Sequence, residues 1–86
     1  MSESLLVFPC AFPIKVMGVN SDVFTQEIVE IVRIHAPDFA AESVQMRASA
    51  GGNYLAVTCT IRADSRSQLD DLYRALSAHP GVKVVL

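Results

Sequence analysis

The residues of this chain best placed to act together are cations. Lys15, Arg47, Arg62 and Lys83, four of the seven Lys and Arg residues, recur in stretches that alternate apolar and polar positions. Successive side chains of a strand point to opposite faces. Lys15 and Met17, Gln45 and Arg47, the run Ala56, Thr58, Thr60 and Arg62, and Lys83 with Val85 therefore project to one side. No acidic residue shares those positions; Glu27, Glu30, Asp70 and Asp71 fall in helical stretches instead. A face of this kind attracts carboxylates or phosphates, so it reads as a site for a small anionic metabolite or an acidic protein partner. The other reading is a solvated face whose edge lysines discourage aggregation.

Little else in the chain carries chemistry. Cys59 alternates with core positions and reads as an inert buried thiol. Cys10 stands beside Pro9 with no cation fixed near it, so an activated thiolate has no support. His35 and His79 are isolated from Cys or carboxylate spacing, and no metal or other cofactor is expected. Phosphate loops, nucleophile elbows and paired-carboxylate motifs are absent, and the chain is not expected to be an enzyme. The net charge of −2 gives no general drive toward nucleic acid or anionic membrane. RNA recognition on an open sheet needs aromatic platforms on its central strands, and Tyr54, at a strand end, is the only one there. No apolar run spans a bilayer, the N-terminus with its Glu3 is not a secretory signal, and two cysteines do not make a disulfide framework. The cytoplasm is the expected compartment.

These cations need elements to hold them. The central one is Tyr54–Ala63, where Leu55, Val57, Cys59 and Ile61 alternate with Ala56, Thr58, Thr60 and Arg62. Gly51-Gly52-Asn53 ahead of it supplies a hairpin turn. Residues 1–11 read as a leader that docks through Leu6 and Phe8 or stays free. The domain proper is expected over residues 12–86. Phe12–Gly18 is a first strand, with Pro13 marking its start because proline cannot donate to a ladder. Ser21 is placed to cap a helix over Asp22–His35, whose stripe is Phe24, Ile28, Ile31, Val32 and His35. Glu30 can meet Arg33 on its wet side. Ser43–Ala48 is a second strand, with Val44, Met46 and Ala48 on the apolar side. Ser65 and Gln68 have capping-box spacing for a second helix carrying Leu69, Leu72, Tyr73 and Leu76, with Asp70 able to pair with Arg74. Val82–Leu86 is a last strand, with Val82, Val84 and Leu86 on one side and Lys83 and Val85 on the other.

The order strand, helix, strand, strand, helix, strand is the α+β, ferredoxin-like βαββαβ plan. It predicts an antiparallel sheet of order 4-1-3-2 with both helices on one face. The last strand is then an edge, and Val84-Val85-Leu86 offers a route to a homodimer or to a protein partner docked by strand addition. The alternative is that Leu86 packs under the second helix.

The motifs Phe8-Pro9, Phe12-Pro13-Ile14-Lys15-Val16-Met17-Gly18, His35-Ala36-Pro37-Asp38, Gly52-Asn53-Tyr54, Leu72-Tyr73 and Val82-Lys83-Val84-Val85-Leu86, in this order, resemble the YbeD-like family of small bacterial proteins of unknown function. The resemblance runs from about Phe8 to the end. It implies a ferredoxin-like fold similar to the ACT-type regulatory domains that bind amino acids. In those domains the ligand sits by the turn after the first strand, here Gly18-Val19-Asn20-Ser21. The resemblance so implies that Gly18 lets a ligand approach the backbone and that Asn20 contacts it. Lys15, Gly18, Asn20, Arg47 and Arg62 are the expected ligand-binding residues of a regulatory module.

Overall fold

Strict alternation over ten residues makes two long strands, and they form the centre of the sheet. In the computed structural model, which describes residues 7–86, β1 (Cys10–Val19) and β3 (Tyr54–Ala63) pair antiparallel along their whole length, from Cys10 opposite Ala63 to Val19 opposite Tyr54. Two strands of four residues flank one end of this ribbon. β2 (Gln45–Ala48) lies beside β3, and β4 (Val82–Val85) lies beside β1. The order β2-β3-β1-β4 with all neighbours antiparallel is the expected ferredoxin-like sheet. Two helices, α1 (Phe24–His35) and α2 (Arg66–Ser77), cover one face. Ile14, Val16, Val57, Cys59 and Ile61 from the strands meet Phe24, Ile28, Val32, Leu69, Leu72 and Leu76 from the helices in one core. Burying each large aliphatic side chain contributes roughly 1.5–3 kcal/mol.

The first strand begins at Cys10, not Phe12, so Pro13 lies inside it. Lys15 and Val19 send their N–H groups toward the β4 side, to Leu86 and Gly81. N–H directions alternate along a strand, so the missing N–H of Pro13 falls on that same side. There β4 has already run out, and the ladder loses nothing. Of the leader, Leu6 lies outside the described residues; Phe8 is half-buried and packs against the core, as does Cys10.

The first helix starts two residues later than expected. Ser21 does not cap it: its carbonyl accepts the Phe24 N–H in a turn, and the cap position, Val23, makes no side-chain bond. Burial of the Phe24 ring between the sheet and the turn before β4 takes precedence over the cap. Ile31 and His35 are only half-buried at the margin of the stripe. The second helix follows its sequence signal closely. Ser65 Oγ accepts the Gln68 N–H at 3.1 Å, while Gln68 Oε1 accepts the Asp64 N–H at 2.6 Å. Gln68 Nε2 also donates to the His35 carbonyl at 2.9 Å, so one side chain caps α2 and ties down the end of α1. The ion pairs differ from expectation: Asp70 faces Arg66, and Arg74 takes Asp71. No Glu30–Arg33 pair forms among the described residues.

Both edge strands depart from the expected pattern. Ala41–Ser43 forms a short 3-10 turn, which shortens β2, and all four β2 side chains are exposed. Met46 shares the helix-side parity but is 57% exposed, at the margin of α1, where the Thr25 hydroxyl donates to its sulfur at 3.3 Å. In β4 a bulge shifts the register: Val85 pairs with Val16 and Val84 with Met17, yet Val82 pairs with Gly18. Lys83 is the extra residue. One inserted residue turns every later side chain over. Val85 therefore packs on the core, while Val84 and Leu86, 44% and 64% exposed, go to the open face. Leu86 does not pack under α2.

The bulge sits beside a close approach of three residues. A Cβ on Gly18 would overlap the Gly81 carbonyl oxygen and stand 2.5 Å from Phe24 Cζ. The Phe24 ring meets the edge of His79 at 5.8 Å between centroids. His79 Nδ1 accepts the Gly81 N–H at 2.9 Å, so its hydrogen is on Nε2, which donates to Glu27 Oε1 at 2.7 Å. Both ring nitrogens are thereby committed to joining α1 to the turn before β4.

Candidate binding site on the open sheet face

Register places the side chains of the uncovered face in rows. One row runs Leu86, Lys15, Thr58, Gln45; the next runs Val84, Met17, Ala56, Arg47; Val19 and Tyr54 form the start of a third. Lys15 and Arg47 are thus two strands and two residues apart, roughly 12 Å between Cα atoms at ordinary strand spacing. Between them is a depression of about 450 Å³ lined by Lys15, Met17, Arg47, Ala50, Tyr54 and Ala56. A second hollow of about 300 Å³ adjoins it and reaches Gln45 and Thr58. Neither cation forms an ion pair among the described residues. Its apolar lining includes Met17, Tyr54 and Ala56, and the exposed Val19 and Val84 lie beside it on the same face.

The other expected site residues are elsewhere. Arg62 shares the open face with Arg47, but it is six residues along β3 from Ala56, roughly 20 Å away. Its Nε is held by Asp64 Oδ1 at 3.1 Å. Gly18 faces the helices, where its missing side chain makes room for Phe24 and Gly81. Asn20 is spent on the β2–β3 hairpin: its Nδ2 donates to the Gly52 carbonyl at 2.9 Å and its N–H to the Asn53 carbonyl at 3.1 Å. The polar groups of the turn after β1 thus hold the fold, and Lys15 and Arg47 remain as the pair that converges. Val84, Leu86 and the hairpin residue Ala50 belong to the same face and escaped sequence reasoning. The hairpin could have been found from its adjacency to Arg47; the β4 residues could not, because a bulge has no composition signal.

The comparisons with known proteins agree with this architecture. Residues 3–86 match the family model described as "Protein of unknown function (DUF493)". The chain belongs to the DUF493 family. Relatives named UPF0250 protein include one from Janthinobacterium sp. (strain Marseille), 53% identical over 85 residues, covering 99% of this chain and 93% of that one. Another, from Ralstonia nicotianae, is 56% identical over 84 residues, covering 98% and 87%. The expected YbeD-like membership is borne out. Among solved structures, protein HP0495 from H. pylori superposes with a TM-score of 0.77 at 15% identity, covering 94% of this chain and 85% of that one. The ACT domain from the GTP pyrophosphokinase of Chlorobium tepidum does so at 0.60 and 18%, covering 90% and 97%. The expected likeness to ACT domains therefore holds for the fold.

The remaining reactive groups of this DUF493 chain are quiet. Cys59 is fully buried, and burial pushes its thiol from 9.0 to about 11. Burial also raises the Tyr73 hydroxyl. No cluster of three or more potential metal ligands occurs among the described residues, and no helix is long and apolar enough to cross a membrane. The open face, where two cations flank an apolar depression, is the candidate site.

Proposed function

We propose that this DUF493 chain is a small, non-enzymatic regulatory module that binds an acidic ligand on its open sheet face. One observation carries the reading: Lys15 and Arg47 flank an apolar depression, with no acidic side chain on the strands of that face. The acids Glu27, Glu30, Asp70 and Asp71 all belong to the helices on the other side. A mildly acidic protein that segregates its charge this way presents a local field of the opposite sign. The ACT domain of similar fold comes from a GTP pyrophosphokinase, which accords with a module that works beside an enzyme. Titrating succinate, citrate and phosphate to millimolar concentration against labelled protein tests the proposal. Amide shifts centred on Lys15, Met17, Arg47, Tyr54 and Ala56 are expected. If no acidic compound, small or peptidic, moves these amides, the reading is lost.

A second reading is supported by β4. It is one of the two edge strands, and exposed Val84 and Leu86 sit on it and just after it. An added strand from a second copy or another protein would extend the sheet there. Sedimentation at high concentration tests self-association, and a strictly monomeric mass would remove it.

A further inference from the structure

We infer that the acidic ligand is a segment of a partner protein in which carboxylates alternate with large apolar side chains. This inference rests on the reading of the open face as an acidic-ligand site.

Three observations favour a segment over a free small anion. First, the apolar surface continues well past the two cations. Leu86 and Val84 at one edge, Met17 in the middle, and Val19 with Tyr54 beyond it form a connected strip across β4, β1 and β3. A small polyanion would leave that strip uncovered, whereas exposed apolar patches of this kind mark protein contacts. Second, tight capture of a small anion needs several convergent donors. In the turn after β1 and the β2–β3 hairpin, Asn20 Nδ2 donates to the Gly52 carbonyl, the Ser49 N–H to the Tyr54 carbonyl and the Gly52 N–H to the Ser49 carbonyl, so these three donors are not offered to an anion. Third, the two cations are spaced roughly 12 Å apart, about four residues of extended chain. Carboxylates at i and i+4 of an extended segment reach Lys15 and Arg47, and the middle residue lies over Thr58 and Ala56 on β3, with Met17 and the apolar strip alongside. Charge complementarity thus selects an acidic occupant, and the apolar strip gives it a length.

A displayed library of random twelve-residue peptides, selected on the whole protein, tests this directly. Enriched sequences should carry Asp or Glu interspersed with Leu, Ile, Phe or Tyr. Synthetic copies should shift the amides of Met17, Tyr54, Ala56 and Val84. Affinity should fall at least tenfold in Arg47→Glu and in Lys15→Glu. Both positions are exposed, and an unchanged amide spectrum elsewhere confirms that each variant folds. Failure to enrich any sequence, or enrichment without acidic residues, overturns the inference, as does binding indifferent to both charge reversals. Succinate and citrate form the second arm: if they shift Lys15 and Arg47 while no peptide binds, the acidic-ligand site stands and the partner segment does not. If neither binds, both readings fall. A concentration-dependent dimer abolished by Met17→Glu would assign the face to a second copy and likewise overturn the partner segment.

Discussion

Leu86 and Lys15 exchange both backbone hydrogen bonds: the Leu86 N–H donates to the Lys15 carbonyl at 2.8 Å, and the Lys15 N–H to the Leu86 carbonyl at 3.2 Å. Residues paired in this way sit directly opposite and share a face, so the leucine side chain stands beside the ammonium group on the uncovered side. Substituting Leu86→Glu leaves the core untouched, because Leu86 is 64% exposed. It places a carboxylate next to Lys15 and neutralises half of the proposed site. The thermal midpoint should stay within a degree or two, while binding of an acidic peptide weakens about tenfold. Calorimetric titration of both proteins reads the difference.

Gly18→Ala is the converse case, silent at the surface and costly inside. The added methyl meets a backbone carbonyl and the Phe24 ring, neither of which is the free end of a flexible chain. Overpacking of this kind costs about 1–3 kcal/mol. A urea unfolding midpoint shifted down with an unchanged slope is the expected result. An unaffected midpoint would mean that the turn before β4 yields easily.

Gln68 bonds to Asp64 through its oxygen and to His35 through its nitrogen. Gln68→Leu removes both and should destabilise the protein by about 1–2 kcal/mol. Gln68→Glu retains an acceptor for the Asp64 N–H but turns an oxygen toward the His35 carbonyl. If the bond between the helices matters, Gln68→Glu should be destabilised nearly as much as Gln68→Leu. Faster amide exchange at the end of α1 in both variants would locate the loss.

The Cys59 thiol gives a pH prediction. Its folded value is raised above the unfolded one, so the folded protein keeps the proton after the unfolded chain begins to release it. The contribution is fully present below pH 9 and is lost as pH rises toward 11. The wild-type protein should therefore lose roughly 2–3 kcal/mol more stability across that window than Cys59→Ala does. In the native state at neutral pH, iodoacetamide should modify half-buried Cys10 well before Cys59.

Alternation of residue types determined most of this molecule before any packing was known. The period-two run from Tyr54 to Ala63, the stripe at Phe24, Ile28 and Val32, and the Ser65–Gln68 cap each depend on nearest neighbours along the chain, so each is written locally. The βαββαβ order then leaves one open sheet face, and Arg47 and Arg62 do share it. Tertiary structure decided which of the candidate residues lie together. Asp64 holds Arg62, which lies roughly 20 Å of strand from the row of Arg47 and about 14 Å from that of Lys15, and Asn20 and Gly18 serve the hairpin and the core. The faces of β4 were decided there too. Close packing of Gly18, Phe24 and Gly81 accompanies the bulge at Lys83, and that one extra residue sends Val85 inward and Val84 with Leu86 outward. A steric fit between residues more than fifty positions apart leaves no mark in local periodicity, so only the folded chain could reveal it.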